Sequence, residues 1–441
     1  MSKNAKIKII VGFFILLMII LIYVKFERDH NEENQLSKKI DYIFRQVEPS
    51  TRAKIDKYIV YGTHFNIEGK VEIPKISGIS IYSSNIILKN INGEDLTLHA
   101  KYEYKDGILS FSTLDKINEG LSLEDISTGN YYLFLKVIFS NSEEKYYSFE
   151  NNSKYGNLTY YTLTKKEKID ISFNEHKKIT YMQISALDIE NLPDGVYDIV
   201  IDASHGGSDS GAKTKEYTEA DLVLKCAKLL KKNLEEKGYK VFLTRDGSES
   251  KNANMATNMY DEKGRINTAQ ESHSKILISL NINDVKSKTG GIEVYAPCLC
   301  NLDFAKLLAN NIVKTAKTSY SSVKSFKQEN GVYVRNCTNV DILGLKSNAI
   351  LKKYEPYSVT NNTPYLYMIR EVGGIATNAY VDGRNTSFGK NKYFDSNVGI
   401  ESYSIELGYM NVEKDLNNIV KNSELYAKAI SDSISEFYTK K

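Results

Sequence analysis

The chain has no Trp, only 6 Pro and only 4 Cys in 441 residues. The cysteines are Cys226, Cys298, Cys300 and Cys337, and they exclude a zinc-finger framework because the C-x-C pair has no matching second pair. On a strand, Cys298 and Cys300 would point to one face, and packing or surface roles account for them. A strong charge of either sign is also missing. Lys and Arg number 58 against 55 Asp and Glu, a net charge of +3 that gives no reason to expect a nucleic-acid partner. What remains is ordinary for a globular protein, 41% hydrophobic and 26% charged, long enough for two or three domains. The 32 Tyr and the scarcity of Pro read as compositional bias rather than as function.

Charge is absent altogether from residues 9–24, IIVGFFILLMIILIYV. Lys3, Lys6 and Lys8 precede the run and Lys25 follows it. As a helix it would span about 24 Å at ~1.5 Å per residue, a little short of a ~30 Å bilayer core. Flanking lysines can snorkel across the difference. No A-x-A-like site follows, which favours an uncleaved anchor over residues 9–25, with a cleaved signal peptide as the alternative. The basic start places residues 1–8 in the cytoplasm and the bulk of the chain outside.

Residues 26–56 are polar and charged and read as a stalk. Residues 57–190 change character: short alternating runs are separated by turn signals such as Asn92-Gly93 and Asp106-Gly107. This pattern predicts an all-β, sandwich-like domain whose role is spacing or binding. His64 and His99 lie on its strand-like runs, far from other ligand-type side chains, and read as structural. A break at NLPDGVYD, around Pro193, precedes a third region, residues 197–441. There strands alternate with helices expected near 218–237, 262–273, 302–317 and up to 439, with an insertion over about 300–400. Such alternation predicts an α/β domain on a mostly parallel sheet, with a site beyond the carboxyl ends of the strands.

Three side chains stand out in that region. His205 follows the first strand in IDASHGGSDSGA, where Gly206, Gly207 and Gly211 permit a tight loop. It is either a metal ligand or an ordinary loop histidine. Glu219 opens the helix TEADLVLKCAKLLKKNLEEKG behind Thr218, a place the helix dipole favours for an acid whether or not it binds a metal. Glu406 lies inside the apolar strand SYSIELGYMN, where a carboxylate is costly unless paired, solvated or functional. It is the best candidate for a general base.

The pieces IDASHGGSDSGA, TEADLVLKCAKLLKKNLEEKGYKVFLTRD, GRINTAQ, KILISLNIN, GIEVYA and IELGYMN follow in an order and spacing that resembles the zinc-dependent N-acetylmuramoyl-L-alanine amidases of the type 3 catalytic domain. The resemblance implies a six-stranded α/β fold and hydrolysis of the amide between N-acetylmuramic acid and L-alanine in peptidoglycan. It also implies a zinc ion held by His205, Glu219 and a second His, and Glu406 as the catalytic acid–base. The second His belongs to a stretch S-I-H-x-N, which here is Ser279-Leu-Asn-Ile-Asn283, so Asn281 occupies its place. Arg265 upstream and Asn283 downstream support that register. The usual D-P-G-H likewise reads Asp202-Ala-Ser-His205.

An amide oxygen suits harder cations better than zinc, so Asn281 would be a weak ligand. His273 lies eight residues earlier and would need rearrangement to replace it. Arg370, Glu371 and Arg384 in the insertion could meet the stem peptide, as could Asn283; a solvated loop with salt bridges explains the insertion residues equally well. Two functions are therefore expected. One is a membrane-anchored peptidoglycan amidase with an altered zinc site. The other is an amidase-like protein that binds peptidoglycan or regulates a partner hydrolase without cutting. A protein activator is conceivable but unidentified.

Overall fold

The computed structural model describes the backbone at residues 3–113, 120–253, 255, 265–285, 290–296, 302–324, 327–334, 367–371, 374–377 and 398–439. Side chains are not described at most of residues 1–21, at 29, 31, 32, 266, 267 and 270, or at 367–377 and 398–399. Cys298, Cys300, Cys337 and Arg384 lie outside the described residues.

A single helix, α1, runs from Lys3 to Phe44. Among the described residues no helix is long and apolar enough to cross a membrane. The expected anchor falls almost wholly on side chains outside that description. The helix absorbs most of the expected stalk, and the first strand begins at Val47, before the boundary at 57. Phe44 explains the early start. It packs edge-on against Phe134 and Tyr181, so the helix end is already part of the β domain.

Twelve strands build that domain: β1 Val47–Tyr61, β2 His64–Glu72, β3 Ile81–Asn90, β4 Leu96–His99, β5 Lys101–Lys105, β6 Ile108–Ser112, β7 Leu121–Ser122, β8 Gly129–Phe139, β9 Glu144–Asn151, β10 Leu158–Tyr161, β11 Glu167–His176 and β12 Ile179–Asp188. They are linked by hydrogen bonds into one continuous sheet rather than two separate ones. The alternating apolar positions meet in a shared core that includes Ile55, Phe65, Leu88, Leu133, Phe149 and Ile184. His64 bonds Thr63 and His99 bonds Asn85, in keeping with structural roles.

The α/β region holds β13 Ile199–Ala203, α2 Glu219–Glu235, β14 Val241–Leu243, α3 Arg265–Glu271, β15 Ile276–Asn283, β16 Glu293–Ala296 and α4 Asp303–Ala316. It continues through β17 Lys327–Glu329, β18 Val332–Val334, β19 Tyr367–Glu371, β20 Gly374–Thr377, β21 Val398–Gly399, β22 Glu401–Tyr409 and α5 Glu413–Thr439. The sheet order is β14-β13-β15-β22-β16-β18-β17. Seven strands thus replace the expected six. The first four are parallel, but β16 meets β22 antiparallel and β17 meets β18 antiparallel. The hairpin β17–β18, only three residues per strand, adds the extra edge.

The two faces of this sheet differ, and the difference is written as a period of two. Ile199, Ile201 and Ala203 of β13 share one face with Ile276, Ile278, Leu280 and Ile282 of β15 and Tyr403, Ile405 and Leu407 of β22. The buried stripes of α2, α4 and α5 cover it; in α2 these are Ala220, Leu222, Val223, Cys226, Ala227, Leu230 and Leu234, spaced three and four apart. Each Leu or Val among them contributes roughly 1.5–3 kcal/mol on burial. Burial also pushes the Cys226 thiol up to about 12, which makes it a packing group rather than a reactive one. The other face carries Asp202, Ser279, Asn281, Ser404, Glu406 and Glu293.

Candidate active site

The polar face is organised around Asp202, the first polar residue of β13. Arg265 donates two hydrogen bonds to its carboxylate at 2.8 and 2.9 Å, Thr244 one at 2.6 Å and Ser279 one at 2.9 Å. Neither Asp202 nor Arg265 is exposed. Burial alone would raise the Asp202 carboxyl, but the guanidinium and the two hydroxyls outweigh it and hold the group below its ordinary value. The pair ties the first residue of α3 to β13.

From there the chain turns sharply. His205 adopts a left-handed backbone, φ 63°, rare for a residue with a Cβ. Arg245 braces the turn by donating to the carbonyls of Ala203, Ser204 and Ala220 at 2.8, 3.0 and 2.6 Å. It thereby ties the end of β13 to the start of α2. Asp209 accepts from His205 Nδ1 at 2.7 Å and orients the ring. Burial works to raise the Asp209 carboxyl, but the imidazole hydrogen bond and charge hold it down. Gly211 lies so close that a Cβ there would stand 2.5 Å from His205 and 2.7 Å from Glu219.

Glu219 is the first residue of α2, behind the cap Thr218, whose hydroxyl accepts from Asp221 N. Its Oε2 lies 3.1 Å from His205 Nε2 and accepts from Ala212 N at 3.0 Å. Its Oε1 accepts from Ile282 N at 2.7 Å and Ser204 Oγ at 3.4 Å. The His205–Glu219 pair is therefore pinned against β15 at the residue after Asn281. Asn281 itself stands in register with Glu406 on β22, and Glu406 in register with Glu293 on β16. The positions of His205, Glu219, Asn281 and Glu406 thus gather at the carboxyl ends of three neighbouring parallel strands.

The Asn281 amide nitrogen donates to Ser279 Oγ at 3.2 Å and Ser404 Oγ at 3.0 Å, both nearer the middle of the sheet. Among the described residues no group of three His, Cys, Asp or Glu side chains is placed to hold a metal. The donors present fit a cation through His205 and Glu219, which face each other, and not a third side chain of the same kind. His273 cannot supply it: it is exposed ahead of β15, at the opposite end of the strand from Asn281. Asn283 is buried, with its Oδ1 taken by Val285 N at 2.9 Å. Arg370 and Glu371 sit on β19, which runs against β22 and β15, but their side chains lie outside the description.

Three site residues escaped the reading of the sequence. Asp209 and Arg245 act on His205 from outside the strands. Glu293 lies 1% exposed, its carboxylate taking hydrogen bonds from Tyr295 OH at 2.7 Å and from Tyr409 OH. The signal for Glu293 was present, since GIEVYA shows the same isolated acid in an apolar strand as SIELG. Burial first, and then Glu293, push the Tyr409 phenol well above its ordinary value.

Residues 199–436 match the family model described as N-acetylmuramoyl-L-alanine amidase, more than half of the chain. The chain belongs to this family. Similar solved structures include the N-acetylmuramoyl-L-alanine amidase AmiC2 of Nostoc punctiforme, 19% identical over 55% of this chain and 97% of that one, with a TM-score of 0.34. The CwlD amidase of Clostridioides difficile, solved in complex with the GerS lipoprotein, is 18% identical over 56% of this chain and 100% of that one, TM-score 0.32. The amidase Ami1 of Mycobacterium smegmatis is 13% identical over 56% and 98%, TM-score 0.35. No curated protein matches. Membership of the amidase family rests on the matched span of sequence.

Proposed function

We propose that this amidase-family chain acts on peptidoglycan, hydrolysing the amide between N-acetylmuramic acid and L-alanine, with a metal site reduced to two strong ligands. The observation that carries the reading is the His205–Glu219 pair, 3.1 Å apart and oriented by Asp209, beside the strand position of Glu406. His205 Nε2 and Glu219 Oε2 would hold a zinc ion. When bound, zinc lowers the pKa of a water and polarises the scissile carbonyl. Glu406 accepts the proton of the attacking water and delivers it to the departing amine of L-alanine. Arg245 and Gly211 keep His205 against Glu219 during that exchange. Arg370, Arg384 and Asn283 are proposed contacts of the stem peptide.

A specific observation favours a second reading, an amidase-like protein that binds peptidoglycan or regulates a partner hydrolase. The Asn281 amide nitrogen donates to Ser279 and Ser404, and the only atom the side chain could offer a metal is a neutral amide oxygen, so the zinc site is one strong donor short of the usual three. The test is release of muropeptides from purified peptidoglycan by the full chain with added zinc. Release abolished by chelation and by Glu406→Gln supports hydrolysis. Absence of release, restored by Asn281→His, assigns the chain to the second reading. We also infer that residues 9–25 anchor the protein in the membrane with the bulk facing the wall. Protease protection of the chain in intact cells would contradict that placement.

A further inference from the structure

Glu293 is a buried carboxylate that the proposed chemistry leaves unused. It opens β16, is 1% exposed and stands in register with Glu406 on the polar face of the sheet. On its other side Glu406 is in register with Asn281 of β15, so the three side chains form a row across neighbouring strands. Both carboxylates are buried, and like charges directly opposite one another weaken a strand pair. No lysine, arginine or histidine pairs with Glu293 among the described residues. Its partners are phenols: Tyr295 OH donates to Oε2 at 2.7 Å, and Tyr409 OH donates to Oε1. Both oxygens thus act as acceptors, the pattern of an ionised carboxylate. Strand pairing alone gives no reason for this acid, since an amide at 293 could bond the same two hydroxyls without the repulsion.

The surroundings fix that carboxylate in place. Tyr295 lies two residues along β16, and so on the same face. Tyr409 reaches it through a bulge: between the Asn281–Glu406 and Asn283–Tyr409 pairs, β15 advances two residues and β22 three. Without the extra residue Tyr409 would face the helices, like Ile405 and Leu407; a bulge re-aims a side chain in this way. Asp415, in the first turn of α5, fixes both ends of the phenol–carboxylate contact. Its Oδ2 accepts from Tyr409 N at 3.0 Å and from Gly291 N, two residues ahead of Glu293, at 2.7 Å. Burial first, then Glu293 and, less strongly, Glu406 raise the Tyr409 phenol, so it keeps its proton and stays a donor. A fixed negative charge therefore borders Glu406 on the β16 side. The β15 side carries a neutral amide and leads to Glu219, pinned at Ile282 N and facing His205.

We propose that Glu293 is a positioning residue for Glu406: its fixed charge turns the Glu406 carboxylate away from β16 and toward the His205–Glu219 pair. This rests on the reading of Glu406 as the proton carrier given above. The test is a double-variant cycle of Glu293→Gln and Glu406→Gln in the full chain, reading the rate of muropeptide release from purified peptidoglycan with added zinc. Where the natural sequence is slow, the same cycle is run on Asn281→His. Glu293→Gln should lower kcat by about tenfold or more, a part of the ~10²–10⁴ that a general base contributes, with KM within about twofold. It should melt no lower than its parent, since the substitution removes a repulsion, and its zinc affinity should be unchanged. In the Glu406→Gln background it should have no further effect, because it acts through Glu406. An unchanged kcat, whatever the melting temperature, or independent losses in the double variant overturns the inference and leaves the amidase reading standing. Absence of release from both the natural sequence and Asn281→His overturns the two together.

Discussion

The two ends of the α/β sheet are built by opposite rules. At the amino ends the site-bearing strands are tied to one another and, through Lys275 and Glu401, to the β domain. Asp198, just ahead of β13, meets Lys275, just ahead of β15, and Lys275 lies over the Tyr160 ring. Glu401 N, at the start of β22, donates to the Lys275 carbonyl, and β21 pairs in parallel with β1. Gly62 of the β domain leaves no room for a Cβ beside Glu401, 2.6 Å away. At the carboxyl ends the same three strands carry His205, Asn281 and Glu406, where small polar groups replace apolar packing. One end therefore fixes strand position, and the other is open to chemical change. The β domain thus braces the amidase domain.

If that division holds, substitutions at the amino end should cost the most stability, and those at the carboxyl end should cost less and, at the site itself, change metal binding. The largest effect is expected from Lys275→Met, which leaves Asp198 and Glu124 buried without their cation. Urea unfolding should show a loss of about 3–5 kcal/mol. A loss within experimental error would break the comparison, because it would mean the seam is not stabilising. A comparable loss is expected at neutral pH from Asp202→Asn, in the middle of the sheet, which leaves the buried Arg265 guanidinium without its carboxylate. The Asp202 carboxyl is held below its ordinary value, so its contribution is complete above the unfolded value near ~3.9 and is lost as pH falls through the lower folded value. The acid slope of stability should flatten in the variant; an unchanged slope would remove Asp202 from the account.

Smaller changes belong to the carboxyl end. Gly211→Ala should cost about 1–3 kcal/mol, since φ is 61° and the new Cβ meets His205 and Glu219. It should also weaken zinc binding, which separates it from a purely structural substitution. Thr218→Ala removes the cap of α2 and should cost about 1 kcal/mol in thermal or urea unfolding with Glu219 still in place.

Much of this arrangement was legible in the residues themselves. The helix at Glu219–Glu235 follows from its cap and its apolar stripe, and the period of two in ILISLNIN separates the helix-covered face from the polar one. That Asn281 and Glu406 share the polar face follows from the same period once their strands are paired. What stayed hidden is long-range. Nothing local in GIEVYA says that β16 runs against β22 instead of with it. Nothing in residues 47–61 announces that β1 will receive β21 from the far end of the chain. Asp209 and Arg245 were invisible as site residues because their effect passes through His205 and through backbone carbonyls, which carry no side-chain signature. The early start of the β domain at Val47 was hidden because its edge is set by Phe44 packing across the sheet, a contact between residues distant in sequence.

We propose that His205 and Glu219 are two strong zinc ligands and that Asn281 stands where a third would be. The most direct measurement is zinc affinity of the full chain and of Asn281→His, by competition with a chelating indicator. Weak binding is expected in the natural sequence, with an affinity higher by at least ~10–100-fold in Asn281→His, a range that even outer-shell changes at zinc sites produce. Tight, stoichiometric zinc in the natural sequence, left unaltered by Asn281→His, would contradict it.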